Sequence, residues 1–402
     1  MAEQTFPVEG PVAVQILDVS GDLEVIGWAE SRVSVVADED EMPDAEWRDG
    51  ALTLRGGDDV IVRVPQGSNV EIERVAGDLD ATNLGGLRLT QAMGDLDVSN
   101  LGALAFSQIA GDCEIRNAGA VEGGQVRGDF EAHRVGDLNV GQLMGDTEIH
   151  QAGSVRLQAV MGDLEIHEAA DVVAAQVMGD ADIEAVAGNV NLQAVRGDVA
   201  ITGATNVRLE TINGDLSVTD ARGSVEARHV NGDARLQGLA ADQTHSVHTD
   251  GDVALGIGPG PLRLTVRAHG SIRWDRSLGL TVESETRRQL VGRLGEGGGE
   301  ITASAHGDAV VYIAGEERGR RGRARWAVAG AGAQGVPPIP PVPPVPPVPP
   351  IPPMATFTAM WSGANQRAVA ASAEEREAIL KMLSERKISA EQAARLLDAL
   401  GG

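Results

Sequence analysis

The sequence predicts an all-β chain: a parallel β-solenoid with 17-residue coils and β caps at both ends, followed by a small C-terminal helical hairpin. Three observations carry that prediction. A Gly-Asp pair recurs every 17 residues at Gly77, Gly94, Gly111, Gly128, Gly145, Gly162 and Gly179, then at Gly197, Gly214, Gly232 and Gly251. A unit this short cannot hold a helix pair, so neighbouring units must share one stacked core. Between the pairs, Val, Ile and Leu alternate with polar residues, the two-residue period of a strand. Aromatic residues make up only 2% of the chain, and between 73 and 256 the rings other than His are Phe106 and Phe130. A narrow interior filled by one layer of aliphatic side chains has no room for more.

Residues 1–72 read as an N-terminal β cap with first strands, through the runs Pro11–Val19, Asp22–Trp28, Arg32–Ala37 and Val60–Val64 at irregular spacing. Residues 73–256 hold the repeats. With each Gly as position 0, apolar residues fall at positions 2, 4, 7, 10, 12 and 15, as in Leu96, Val98, Leu101, Leu104, Phe106 and Ile109. These six are expected to point inward, with steps of two along strands and steps of three at corners. Eleven such coils, about 4.8 Å apart, make a body about 50 Å long. The Gly is expected at positive φ in a corner, and the Asp after it as an acceptor for turn backbone. Calcium is the alternative for that Asp column, although the Gly-Gly-x-Gly-x-Asp pattern of calcium-binding β-rolls is absent. Gln91, Gln108, Gln125, Gln142, Gln176 and Gln193 fall at position 14 and are expected to form an amide ladder. Met93, Met144, Met161 and Met178 at position 16 are expected to pack under a corner; an exposed apolar ridge is the alternative.

Residues 257–315 read as the C-terminal β cap, with Leu262–Ala268, Ser271–Trp274, Glu300–Ala305 and Ala309–Ile313 as strands. Caps at both ends favour a discrete body over a filament. Residues 316–335 form an Arg/Gly/Ala linker containing Arg318, Arg320, Arg321, Arg323 and Arg325. Residues 336–354 are a polyproline rod roughly 50 Å long, read as a stiff spacer, and 355–371 a second linker. Residues 372–402 carry capping boxes at Ser372 with Glu375 and at Ser389 with Gln392, so they read as a helical hairpin. Its apolar residues, Leu380, Leu383, Leu396 and Leu397 among them, exceed what so short a piece can bury alone. Docking on a protein partner or self-association is expected through these helices.

A net charge of −26 sets the body against nucleic acid and anionic membrane as partners and favours a basic partner or a divalent metal. Membrane contact is expected only through the Arg-rich linker. Cys113 is the single cysteine, which excludes an intrachain disulfide. No basic region followed by an apolar run opens the sequence and no stretch of 18 apolar residues occurs, so a cytoplasmic location is expected.

Two outward columns are candidates for function. Position 3 reads Asp80, Asp97, Glu114, Glu131, Glu148, Glu165 and Asp182, an acidic stripe on consecutive coils and the candidate partner-binding face. Like charges stacked across parallel strands oppose each other, so a basic partner or bound cations would relieve the stripe, as solvation alone also does. Position 5 carries His133, His150 and His167 beside Glu131, Glu148 and Glu165. Imidazole and carboxylate are ligand types for zinc or another transition metal, and repeat duplication produces the same columns without any ligand. No cofactor is otherwise expected.

Val19-Ser20-Gly21-Asp22-Leu23-Glu24-Val25 and the Gly-Asp-Leu-x-Val units after it resemble the bacterial putative-adhesin β-solenoid domain family of unknown function. The tail from Ile379 to Leu400 looks like the SHOCT-like helical segment found with that family, including LiaX-like envelope-stress proteins, here in reversed order. The resemblance implies a right-handed solenoid and a non-enzymatic role in the cell envelope or in protein assembly, with no catalytic residues to carry over. The expected function is a scaffold or interaction protein: a rigid solenoid presents an acidic face and is tethered to a helical oligomerisation or docking segment. The alternatives are a carbohydrate-active β-helix enzyme, which the uniform columns and missing aromatic platforms disfavour, and a bactofilin-like polymerising protein, which the caps disfavour.

Overall fold

The computed structural model describes residues 2–40, 42–48 and 51–314, and within them it is a parallel β-solenoid. The linkers, the polyproline rod and the helical hairpin expected over 372–402, with Leu380, Leu383, Leu396 and Leu397, lie outside the described residues. All six inward positions hold: in the Gly94 coil Leu96, Val98, Leu101, Leu104, Phe106 and Ile109 are each buried. Coils pair in parallel with a 17-residue offset, Leu96 on Cys113 and Ile109 on Val126, so each core side chain rests on its equivalent one coil away. In four coils one strand runs almost the whole turn, as in Leu96–Ile109, Cys113–Val126, Thr147–Val160 and Leu164–Val177. Elsewhere it breaks in two, as at Phe130–Val135 and Leu138–Leu143. Cys113 occupies a core column, and burial pushes its thiol well above the usual cysteine range, which makes it inert.

The repeated Gly does not sit at positive φ. That conformation belongs to position 6, at Asn83, Asn100, Asn117, Arg134, Gln151, Glu168, Ala185, Gly203, Asp220 and Gly238. Asn and Gly are at home there, while Arg134, Gln151, Glu168 and Ala185 are held by the coils above and below. The Gly is required for a different reason, close stacking. A Cβ on Gly128 would lie 2.1 Å from Asp112 Oδ1 and 2.6 Å from the Gly111 carbonyl. Glycine lets each corner approach the previous one until its N–H bonds the Gly carbonyl below, as Gly94 to Gly77 at 3.1 Å.

The Asp beside it completes that corner. Asp78 Oδ1 accepts the backbone N–H of Asp95, Asp95 that of Asp112, and so on through Asp252 and Asp308, at 2.7–2.9 Å throughout. Turn capping therefore accounts for the Asp column, with the bond crossing to the next coil. The amide ladder also exists, but at position 6. Asn117 donates to Asn100 and Asn100 to Asn83, each at 3.1 Å. Gln91, Gln125 and Gln176 at position 14 instead donate to the sulfurs of Met93, Met144 and Met178. Gln193 falls out of that column, because its coil has 18 residues and Ala194 pairs with Gln176. Met93, Met144 and Met161 are exposed, against the expectation that they pack under a corner, because position 16 lies on the outer side of the turn.

At both ends the coils stack out of chain order. The coil with strands Ala13–Ile16 and Leu23–Trp28 lies between the coil of Ala51–Arg55 and Val60–Pro65 and the coil of Asn69–Val75 and Leu79–Thr82. At the other end the coil of Gly299–Ala305 and Ala309–Ile313 lies between that of Thr244–Thr249 and Val253–Ile257 and that of Leu262–Ala268 and Ile272–Trp274. Antiparallel strands close over each outer coil. Arg32–Ala37 pairs with Val60–Pro65, and Gln289–Leu294 with Leu262–Ala268, burying Val33, Val35 and Leu290. These cover the outer edges of Val60–Pro65 and Leu262–Ala268, which a bare solenoid would expose. Two repeat corners lie in the segments read as caps, Gly21-Asp22 and Gly307-Asp308, and both extend the Asp ladder.

Candidate functional site

Parallel stacking brings the position 3 acids into one column. Asp80 pairs with Asp97, Asp97 with Glu114, and the register continues through Glu131, Glu148 and Glu165 to Asp182. Beyond Asp80 the out-of-order coil adds Glu24, a member that no count of the 17-residue period could place. Position 5 runs alongside it, with Arg116, His133, His150, His167 and Glu184 on successive coils.

The two columns pair with each other over the middle of the stripe. Arg116 bonds Glu114 in its own coil and reaches Asp97 at 3.3 Å. His133 Nε2 meets Glu131 Oε1 at 2.5 Å, His150 meets Glu148 at 2.5 Å, and His167 meets Glu165 at 2.7 Å. The imidazoles stack nearly parallel, with centroids 4.7 Å apart for His133 and His150 and 5.1 Å for His150 and His167. His167 also holds Glu184 at 3.3 Å. The hydrogen bond to Glu165 and the nearby acids raise its pKa above the usual imidazole value, although partial burial opposes them. Each ring nitrogen facing the stripe thus engages a carboxylate of its own coil, and a metal shared by His133, His150, His167, Glu131, Glu148 and Glu165 would first have to open those pairs.

At the stripe's ends, Asp80 and Asp182 lack such partners among the described residues. Asp80 stands among Asp97, Glu24, Asp78 and Asp22, and partial burial followed by these like charges raises its pKa. Asp182 stands beside Glu184 and Glu165, and the same two causes raise its own, with His167 opposing them. Asp80 and Asp182, without an ion-pair partner among the described residues, therefore flank a paired centre, a pattern visible only once the two columns are aligned.

A second histidine run lies at the C-terminal end of the described body. His229 and His248 stack at 6.0 Å, His248 meets His306 edge-on at 5.8 Å, and His306 stacks on His269 at 4.7 Å. Counting forward from each Gly misses this run, because the Gly214 and Gly232 coils have 18 and 19 residues. Counted backward from the following Gly, His229 and His248 share one column, three residues before it; Asp250, His306 and His269 share another, one residue before.

The family model for Toastrack DUF4097 matches residues 46–305, the greater part of this architecture. The chain belongs to the Toastrack DUF4097 family. A SHOCT-like domain model matches residues 374–402 of this Toastrack chain. Among solved structures, the Toastrack body is similar to one described as a putative cell adhesion protein from Clostridium sporogenes, at 11% identity over 78% of this chain and 99% of that one, with a TM-score of 0.16. It is also similar to one described as a putative adhesin from Bacteroides fragilis, at 12% identity over 78% and 96% of the two chains, with a TM-score of 0.20. At those values neither likeness bears on what this protein does. No curated protein matches the chain.

Proposed function

We propose that this Toastrack protein is a non-enzymatic interaction scaffold whose solenoid offers the acidic stripe to a basic protein segment, while the SHOCT-like domain supplies docking or self-assembly. One observation carries the proposal: from Asp97 to Glu165 the acids of the stripe are paired with Arg116, His133, His150 and His167, while among the described residues Asp80, beside Glu24, and Asp182 have no ion-pair partner. A cationic segment spanning the stripe gains most at its two ends, where it relieves like-charge repulsion instead of competing with existing pairs. The absence of any local break in these two columns favours binding over catalysis, since a reaction centre needs a few unlike groups converging on one point.

Calorimetric titration with an arginine-rich peptide, at low and at physiological salt, tests the proposal. Binding that weakens with salt and drops several-fold in the D80N/D182N variant is expected; equal affinity in that variant sinks the stripe as the docking face. A chain ending near Gly335 separates assembly from docking. By light scattering, loss of an oligomer on truncation supports the SHOCT-like domain as the assembling part, and a monomer in both forms rejects it.

A further inference from the structure

We propose that the C-terminal end of the solenoid carries a site for a divalent transition-metal ion of the zinc type, ligated by His229, His248 and Asp250. Among the described residues these three offer ligand atoms that all lie within 4.8 Å of one another. Ligand bonds of about 2.1 Å place the donors of a tetrahedral zinc about 3.4 Å apart, so small side-chain rotations close the set around an ion. Two imidazoles and one carboxylate form a borderline nitrogen and oxygen set, which suits zinc and its neighbours better than calcium or magnesium, cations that take all-oxygen shells.

Four further features single out this cluster. The histidines are half-buried and the aspartate is exposed, so the set has a supporting wall and a side open to solvent. His306 Nδ1 lies 2.6 Å from Asp250 Oδ1 and orients that carboxylate, as the outer partner of a metal ligand does. His269 stacks on His306 and fixes its plane in turn. The pairing of the two ligand-bearing strands also slips between Ala227 and Val230, beside His229. Such irregularities re-aim side chains, and this one interrupts a column that is regular elsewhere. The His133, His150 and His167 column differs on each count that matters: its register is unbroken, and each imidazole is already paired with a glutamate of its own coil. Three protein ligands leave a tetrahedral zinc one position for water or for a group brought by a partner.

The test is zinc titration by calorimetry on the full chain after chelator treatment and desalting, with bound metal counted by elemental analysis. One zinc per chain is expected, with affinity lowered at least tenfold in H229A, in H248A and in D250N, and about tenfold in H306A. The H133A/H150A/H167A variant is expected to bind as the unaltered chain does. Zinc is also expected to raise the melting temperature of the unaltered chain, a measurement that needs no variant to fold. Failure of the unaltered chain to bind zinc overturns the proposal, as does undiminished binding by a folded H229A/H248A double variant, or loss of binding in the triple variant alone.

Discussion

Two acidic columns run along this solenoid two residues apart, and the fold treats them in opposite ways. At position 1 each carboxylate accepts the backbone N–H of the next coil, and Asp308, near the end of that ladder, has its pKa lowered by the backbone and hydroxyl bonds from Ser271. At position 3 the acids face one another with no backbone donor. Asp80 and Asp182 have theirs raised by burial and by neighbouring acids. The first column holds coils together through hydrogen-bonded carboxylates, and the second, at Asp80 and Asp182, stores repulsion that a ligand can relieve. Acids that recur with the strictest period are thus the structural ones.

The sharpest way to break the first column is Gly128→Ala. Its Cβ would meet backbone and a bonded carboxylate, neither of which can yield without parting two coils. A loss of about 2–4 kcal/mol is expected in chemical denaturation. Asp129→Ala removes the acceptor for the Asp146 N–H while leaving the close stacking intact. A smaller loss of about 1–2 kcal/mol is expected, because that corner N–H can turn to water. The second column should respond with the opposite sign. Asp80→Asn and Asp182→Asn are each expected to stabilise the fold by a few tenths of a kcal/mol while weakening binding of the arginine-rich peptide. Stabilisation without loss of binding would separate the stripe's repulsion from its proposed use.

The smallest effect is on pH dependence. His167 has a raised pKa, so its contribution is full below about pH 6.5 and is lost as pH rises through its folded value. Asp80 and Asp182, also raised, bind their protons more tightly folded than unfolded, so their share is likewise greatest in acid and lost as pH rises through their folded values. Asp308 runs the other way: its contribution is present above the usual carboxylate value and lost as pH falls through its folded one. The melting temperature of His167→Gln is therefore expected to fall less than that of the unaltered chain between about pH 6 and pH 8. An identical slope would remove His167 from this account.

What was legible in the sequence was whatever repeats at a constant interval. The inward positions, the Asp corner and the acid and histidine columns follow from counting, because parallel stacking turns a period of 17 into a vertical line. Counting failed wherever two residue types suit one conformation or the interval changes. Glycine's conformational freedom suits positive φ, but Asn83, Asn100 and Asn117 carry the same signal six residues on, and stacking distance is the stronger demand on Gly. His229 and His248 drop out of line when their coils lengthen, and counting back from the following Gly, not forward from the preceding one, restores them. Glu24 joins the stripe through a stacking order that no local pattern encodes.

That inverted stacking also sets the order in which the molecule can form. An internal rung joins residues 17 apart, whereas the rung that seats each inserted coil joins residues 56 apart, Asp22 with Asp78 and Asp252 with Asp308. The longer closure costs about 1 kcal/mol more in chain entropy, so winding is expected to begin in the middle and reach both ends last. Until then each end of the growing stack presents the open strand edges that another copy could extend. Threading the inserted coils and closing Arg32–Ala37 and Gln289–Leu294 over the outer ones end this exposure, so the capped body is complete only when both ends have folded.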